Sequence, residues 1–151
     1  MKTTAEKSGK LLSVYDENSV KQAIINAELN TSGEIRVHIE DKCTADVLDR
    51  AAYVFEKLEM HKTKLRNGVL FYLATKDRKF AVIGDAGINA VVPPSFWEDM
   101  KSEMVEHFRK DKFADGLVYG IEKTGEHLKK HFPHKQDDKN ELSDEISFGK
   151  A

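Results

Sequence analysis

Two spacings of apolar residues take turns along the chain, one with the period of a helix and the other with the period of a strand. From Asp16, the residues Val20, Ala23, Ile24 and Ala27 recur at i, i+3, i+4 and i+7, and Asn30-Thr31-Ser32-Gly33 closes the run. This predicts a first helix with a defined stop. EIRVHIE then alternates strictly, with Ile35, Val37 and Ile39 on one face and Glu34, Arg36, His38 and Glu40 on the other. That is the pattern of a strand wet on one side, at or near a sheet edge. A second helix, capped by Thr44, carries the stripe Val47, Ala51, Val54, Phe55 and Leu58 and ends near Met60.

GVLFYLAT shows no alternation at all. A short continuous apolar run rich in β-branched and aromatic residues predicts a central strand covered on both faces. Lys76-Asp77-Arg78-Lys79 makes a charged turn, and KFAVIG resumes the strand pattern, so the two runs form an antiparallel hairpin. Ser95-Phe96-Trp97-Glu98 reads as a capping box opening a helix with Trp97, Met100, Met104 and Phe108 inward. A last helix carries Leu117, Ile121, Leu128 and Phe132 and halts at Pro133.

The order strand, helix, strand, strand, helix, helix predicts an α/β fold: a three-layer α-β-α sandwich with a small mixed sheet of three or four strands and helices on both faces. The crossover from the first strand through the second helix makes the first two strands parallel, with a right-handed connection. One domain is expected over residues 14–133. Residues 1–13 are expected to be a flexible start, and residues 134–151 a disordered polar tail with too little apolar surface to order it.

Composition narrows the function classes. The chain has 151 residues, and its 24 basic and 26 acidic side chains are interspersed, so no broad positive field marks it for nucleic acid. Its single cysteine, Cys43, excludes an internal disulfide, and no Cys/His cluster has zinc spacing. No apolar run is long enough for a membrane span, and no apolar leader follows the basic residues near the start. A soluble, cytoplasmic, monomeric protein is expected, with no nucleic-acid or membrane partner.

TSGEIRVHIE, RNGVLFYLA with its charged hairpin turn, and FAVIGDAGIN followed by FADGLVYGI resemble the TPM domain. This family has thylakoid-lumen and bacterial envelope relatives, and the resemblance covers roughly Val14 to Pro133. It implies a Rossmann-like α-β-α sandwich, divalent-cation binding and, more thinly, acid phosphatase activity. The chain is expected to be a soluble stand-alone bacterial form.

The predicted strand directions put the start of strand one, the start of strand two and the end of strand three on one edge of the sheet, which gathers Glu34, Arg66, Asn67 and Asp85. Oxygen donors from Asp85, Asn67, Glu34 and Asn89 suit a hard cation, calcium before magnesium. Gly84 and Gly87 would let the loop curl, and Arg66 would bind any phosphoryl group. The bland alternative is that Asp85 merely closes a turn before Ile88. Open α/β sheets instead favour the carboxyl ends of parallel strands, here Glu40, Asp41, Thr44, Thr75 and Asp77. The family-like residues cluster on the first edge, and the site is expected there.

Other candidates carry blander readings. His38 lies on the polar face of strand one, His107, His127, His131 and His134 fall on or after late helices, Cys43 reads as inert, and Asp111 and Asp115 read as caps. Three functions remain: a cation-binding domain, a metal-dependent phosphomonoesterase without an evident covalent nucleophile, and a protein-interaction adaptor docking through Phe96 and Trp97 or an edge strand. If Asp85 and Glu34 repel each other in an empty site, Asp85→Asn should leave metal-free stability level or raise it.

Overall fold

Ser13 opens the first helix with a capping box: its hydroxyl accepts from Asp16 N at 3.0 Å, and the Asp16 carboxylate accepts from Ser13 N at 3.2 Å. The structure is a computed structural model and describes residues 13–133 and 146–149. Its elements are α1 (Val14–Glu28), β1 (Glu34–Glu40), α2 (Val47–Lys57), β2 (Gly68–Ala74), β3 (Lys79–Gly84), α3 (Ala86–Asn89), α4 (Phe96–Arg109), α5 (Phe113–His131) and β4 (Ser147–Phe148).

Two caps differ from expectation. Asp46, not Thr44, caps α2, accepting from Leu48 N and Asp49 N at 3.1 Å each. Asp is an equally good cap and stands directly before the helical run. Ser95 precedes α4 but makes no side-chain cap bond; its backbone (φ −94°, ψ 1°) is not in the extended region that a capping hydroxyl needs. Glu98 pairs with Lys101 at 2.8 Å instead of reaching back.

The sheet has four strands in the order β3-β2-β1-β4. β1 and β2 are parallel, with Glu34 opposite Gly68 and Glu40 opposite Ala74. β3 returns antiparallel, with Val69 opposite Gly84 and Ala74 opposite Lys79. All seven residues of β2 are buried, as expected of a strand covered on both faces.

The two faces bury different sets. Ile35, Val37, Ile39, Val69, Phe71 and Leu73 pack against α1, α4 and α5 through residues such as Ile24, Met104 and Leu117. Leu70, Tyr72, Ala74 and Ala81 pack against Ala51, Val54 and Phe55 of α2, with Cys43 and Met60. Helices therefore lie on both faces, completing the α-β-α layering. Among the described residues no helix is long and apolar enough to cross a membrane.

Two expectations about β1 and the tail change. The polar face of β1 is not wet: Glu34 is 0%, His38 1% and Glu40 7% exposed. Alternation sorted the side chains by face correctly, but buried polar partners, described below, replace water on the polar one. β1 does lie near the sheet edge, as expected, but a segment of the expected tail covers it. Ser147 and Phe148 pair parallel with His38 and Ile39, and Gly149 N donates to Ile39 O at 3.0 Å. Ile146 and Phe148 pack onto the larger core, which gives this segment the apolar contacts that the expected tail lacked. Residues 1–12, 134–145 and 150–151, where the rest of the expected flexible segments fall, lie outside the described residues.

Candidate functional site

The edge expected to carry the site is assembled by main-chain bonds. Glu34 N donates to Asn67 O at 3.4 Å, Asp85 N to Gly68 O at 2.9 Å, and Gly87 N to Arg66 O at 2.7 Å. Glu34, Arg66, Asn67, Gly84, Asp85 and Gly87 are thereby brought to one end of the sheet, with Asn89 one turn further on. Gly87 is required by crowding: a Cβ there would stand 2.1 Å from Leu65 O and 2.7 Å from Arg66 O.

Asp85 directly follows β3 and caps the short α3, its Oδ1 accepting from Ala86 N at 2.8 Å. Both its oxygens also accept from Arg66, Nε to Oδ2 at 2.7 Å and Nη2 to Oδ1 at 2.8 Å. This two-point contact pushes the Arg66 guanidinium above its ordinary pKa. Asn89 is likewise engaged: its amide donates to Gly84 O at 2.7 Å, and its Oδ1 accepts from Trp97 Nε1 at 2.8 Å. Trp97 is therefore partly an anchor for this loop.

Deeper in, Asn67 is 1% exposed, and its Nδ2 donates to Ser32 Oγ at 3.3 Å. The Asn67 Oδ1 is buried with no hydrogen-bond partner, as is Thr63 Oγ1 on the loop leading into β2. Unpaired buried acceptors are uncommon enough to require an explanation. Among the described residues, no three His, Cys, Asp or Glu side chains converge on a metal-sized position. A cation here would draw on amide and main-chain oxygens alongside carboxylates.

The opposite edge holds a network that the sequence did not announce. Glu40, at the carboxyl end of β1, accepts from Arg50 Nε and Nη2 on α2 at 2.8 Å each, and from the Tyr72 hydroxyl on β2. Burial alone would raise the Glu40 pKa, but the bonds from Arg50 and Tyr72 outweigh it and hold the carboxyl below its ordinary range. Arg50 is raised by the same bond to Glu40, and Tyr72 is raised by burial and by Glu40.

His38 completes the cluster. Its ring stacks on Tyr72 at 6.0 Å, its Nδ1 lies 2.7 Å from Ser147 Oγ, and its Nε2 is 3.5 Å from Glu40 Oε1. The Ser147 hydroxyl also lies 3.4 Å from Val37 O, so it bridges the imidazole to the β1 backbone. Burial lowers the His38 pKa more than the nearby Glu40 raises it.

Around this cluster, Cys43 N donates to Asp77 Oδ2 at 2.8 Å, Lys79 Nζ to Cys43 O at 3.0 Å, and Thr75 N to Glu40 O at 2.9 Å. Of the carboxyl-edge candidates, Glu40, Asp41, Thr75 and Asp77 are thus gathered, and Thr44 is exposed. Arg50 and Tyr72 were missed. The signal was present in the even register that sets His38, Glu40 and Tyr72 on one face.

A family model for the TPM domain matches residues 6–127. The chain belongs to the TPM domain family. This TPM domain is similar to the BA42 protein of the psychrophilic bacterium Bizionia argentinensis, solved by NMR: 48% identity, 91% of this chain and 95% of that one covered, TM-score 0.84. The N-terminal domain of a P. gingivalis protein shares the fold at 21% identity, with 83% of each chain covered and a TM-score of 0.68. The N-terminal domain of the cg2496 protein of Corynebacterium glutamicum does so at 13% identity, with 78% of this chain and 74% of that one covered and a TM-score of 0.61. No curated protein matches this chain.

Proposed function

We propose that this TPM domain binds a divalent cation, calcium in preference to magnesium, at the amino ends of β1 and β2. The observation that carries the reading is the Asn67 Oδ1, an amide oxygen buried without a partner. It sits beside the main-chain bond that ties Asn67 to Glu34, whose carboxylate is wholly buried. An oxygen-rich, flexible donor set of this kind suits calcium better than the strict octahedron of magnesium.

Asp85 supplies the second carboxylate. Arg66 holds it, and 52% of the Arg66 side chain is exposed, so the guanidinium can swing into water when a cation takes its place. We place the protein in the cytoplasm as a monomer, on its interspersed charge and its single buried cysteine.

The test is a titration of the folded protein with calcium and with magnesium, followed residue by residue by NMR. Saturable shifts confined to Glu34, Asn67 and the Gly84–Asn89 loop, with Asn67→Ala weakening calcium about tenfold, are expected. Diffuse shifts over all acidic surfaces would overturn the proposal.

A further inference from the structure

The other end of the sheet carries a cavity of about 150 Å³, lined by Leu73, Phe80, Val105, Phe108 and Phe113, with Arg78 and Arg109 at its rim. We propose that it binds a small aromatic carboxylate, the ring seated among the phenylalanines and the carboxylate held by the two guanidiniums.

The size and walls set the apolar half of the ligand. An apolar cavity of about 150 Å³ accommodates one benzene-sized ring. Phe80 meets Phe108 edge-on at 5.0 Å, and Phe108 stacks on Phe113 at 5.4 Å. A planar ring entering there continues an aromatic array whose geometry is already fixed by packing.

The rim sets the charged half. Among the described residues, no acidic side chain lines the cavity, and the charged ones that do are Arg78 and Arg109. Arg78 lies over the Phe113 ring at 5.7 Å, so its guanidinium is held above the aromatic wall. Its partner Asp111, at 3.1 Å, and Glu106, 2.8 Å from Arg109, make pairs in which every side chain is at least 59% exposed. Such pairs contribute little, and a guanidinium with five donors can share itself with an incoming carboxylate.

Two further features mark this rim. Arg78 and Asp111 both have left-handed backbones, φ 51° and 58°, a conformation uncommon outside glycine that recurs at ligand-binding loops. Leu73 also lies near the carboxyl end of β2, the end at which parallel α/β sheets place their ligands. It is the opposite end from the Asn67 edge, so this proposal does not depend on cation binding.

The experiment titrates the folded protein with phenylacetate and, separately, with neutral phenylacetamide, following backbone amides by NMR. Phenylacetate should bind saturably with Kd on the order of 1 mM, with shifts centred on Leu73, Phe80, Phe108 and Phe113, and the amide should bind about fivefold more weakly. Arg78→Gln and Arg109→Gln should each bring the acid down toward the amide while leaving the amide unchanged. Val105→Phe, at a partly exposed wall position, should abolish both. Equal binding of acid and amide, shifts centred elsewhere, or no saturable shift well above a millimolar would overturn the assignment.

Discussion

Arg50 grips Glu40 through two parallel hydrogen bonds of 2.8 Å, joining α2 to the end of β1. The Glu40 side chain is 8% exposed and the Arg50 side chain 22%, so removing the arginine strands a carboxylate out of water. Arg50→Ala should lower the unfolding free energy by about 2–3 kcal/mol, and Arg50→Lys should recover only part of it, because an ammonium cannot make the two-point contact. Urea unfolding of the three proteins measures this. An Arg50→Ala protein as stable as wild type would show that Tyr72 alone satisfies Glu40.

His38 makes stability fall with acid. Its folded pKa lies below the ordinary value of about 6.5, so as pH drops through that value the unfolded state takes up a proton that the folded state refuses. The loss begins near that pH and stops below the folded pKa. Glu40, also lowered, adds a second loss beneath the ordinary carboxylate range. The groups facing His38 are Glu40, Arg50, Tyr72, Ser147 and the Gly149 backbone; Glu40 and Gly149 favour its charged form, and burial, with Arg50, outweighs them. Melting temperature should decline between roughly pH 7 and 5, and His38→Gln should flatten that slope.

Removing residues 146–151 should leave the larger core folded, since only Ile146 and Phe148 of the described segment join it. It should, however, lower the melting temperature and raise the His38 pKa toward its ordinary value as water reaches the ring. NMR titration of the imidazole reads the second effect. An unshifted His38 would mean that β4 does not shield it.

Asp85→Asn should lower the stability of the metal-free protein slightly, because it breaks a pair with a solvent-exposed arginine while Asn remains an adequate cap. Repulsion from Glu34 had suggested no loss or a gain, and the Arg66 contact reverses that expectation. Thermal melts in chelator decide the sign.

Gly87→Ala should be more damaging. Its Cβ would meet main-chain oxygens of Leu65 and Arg66, which cannot rotate aside, so the α3 loop or the entry to β2 must shift. A loss of about 1–3 kcal/mol is expected by comparison with overpacked sites. A fully stable variant would show that this loop is free to move.

Periodicity revealed what depends on local spacing. The unbroken apolar run of β2, the hairpin and the two late helices all read through, because each buries a face that its own sequence encodes. The polar face of β1 did not. Whether Glu40 sits in water or in protein depends on Arg50 and on Tyr72, which reaches it across 32 positions of sequence. β4 contributes only Ile146 and Phe148 as apolar signal, too short a pattern to separate from a tail. At the Asn67 edge, strand directions were enough to bring the residues together. They could not show that Arg66 and Trp97 already occupy oxygens of Asp85 and Asn89.

The pairing of Ser147 with His38 spans 109 positions of sequence, and this has a consequence during synthesis. At ribosomal rates of about 5–20 residues per second, β1 emerges roughly 5–20 s before the strand that covers its outer edge. Through that interval β1 offers a row of unpaired main-chain groups to any neighbouring nascent chain. Glu34, Arg36, His38 and Glu40 break its hydrophobicity at every second residue, and so act as gatekeepers against aggregation before they become buried partners in the finished sheet.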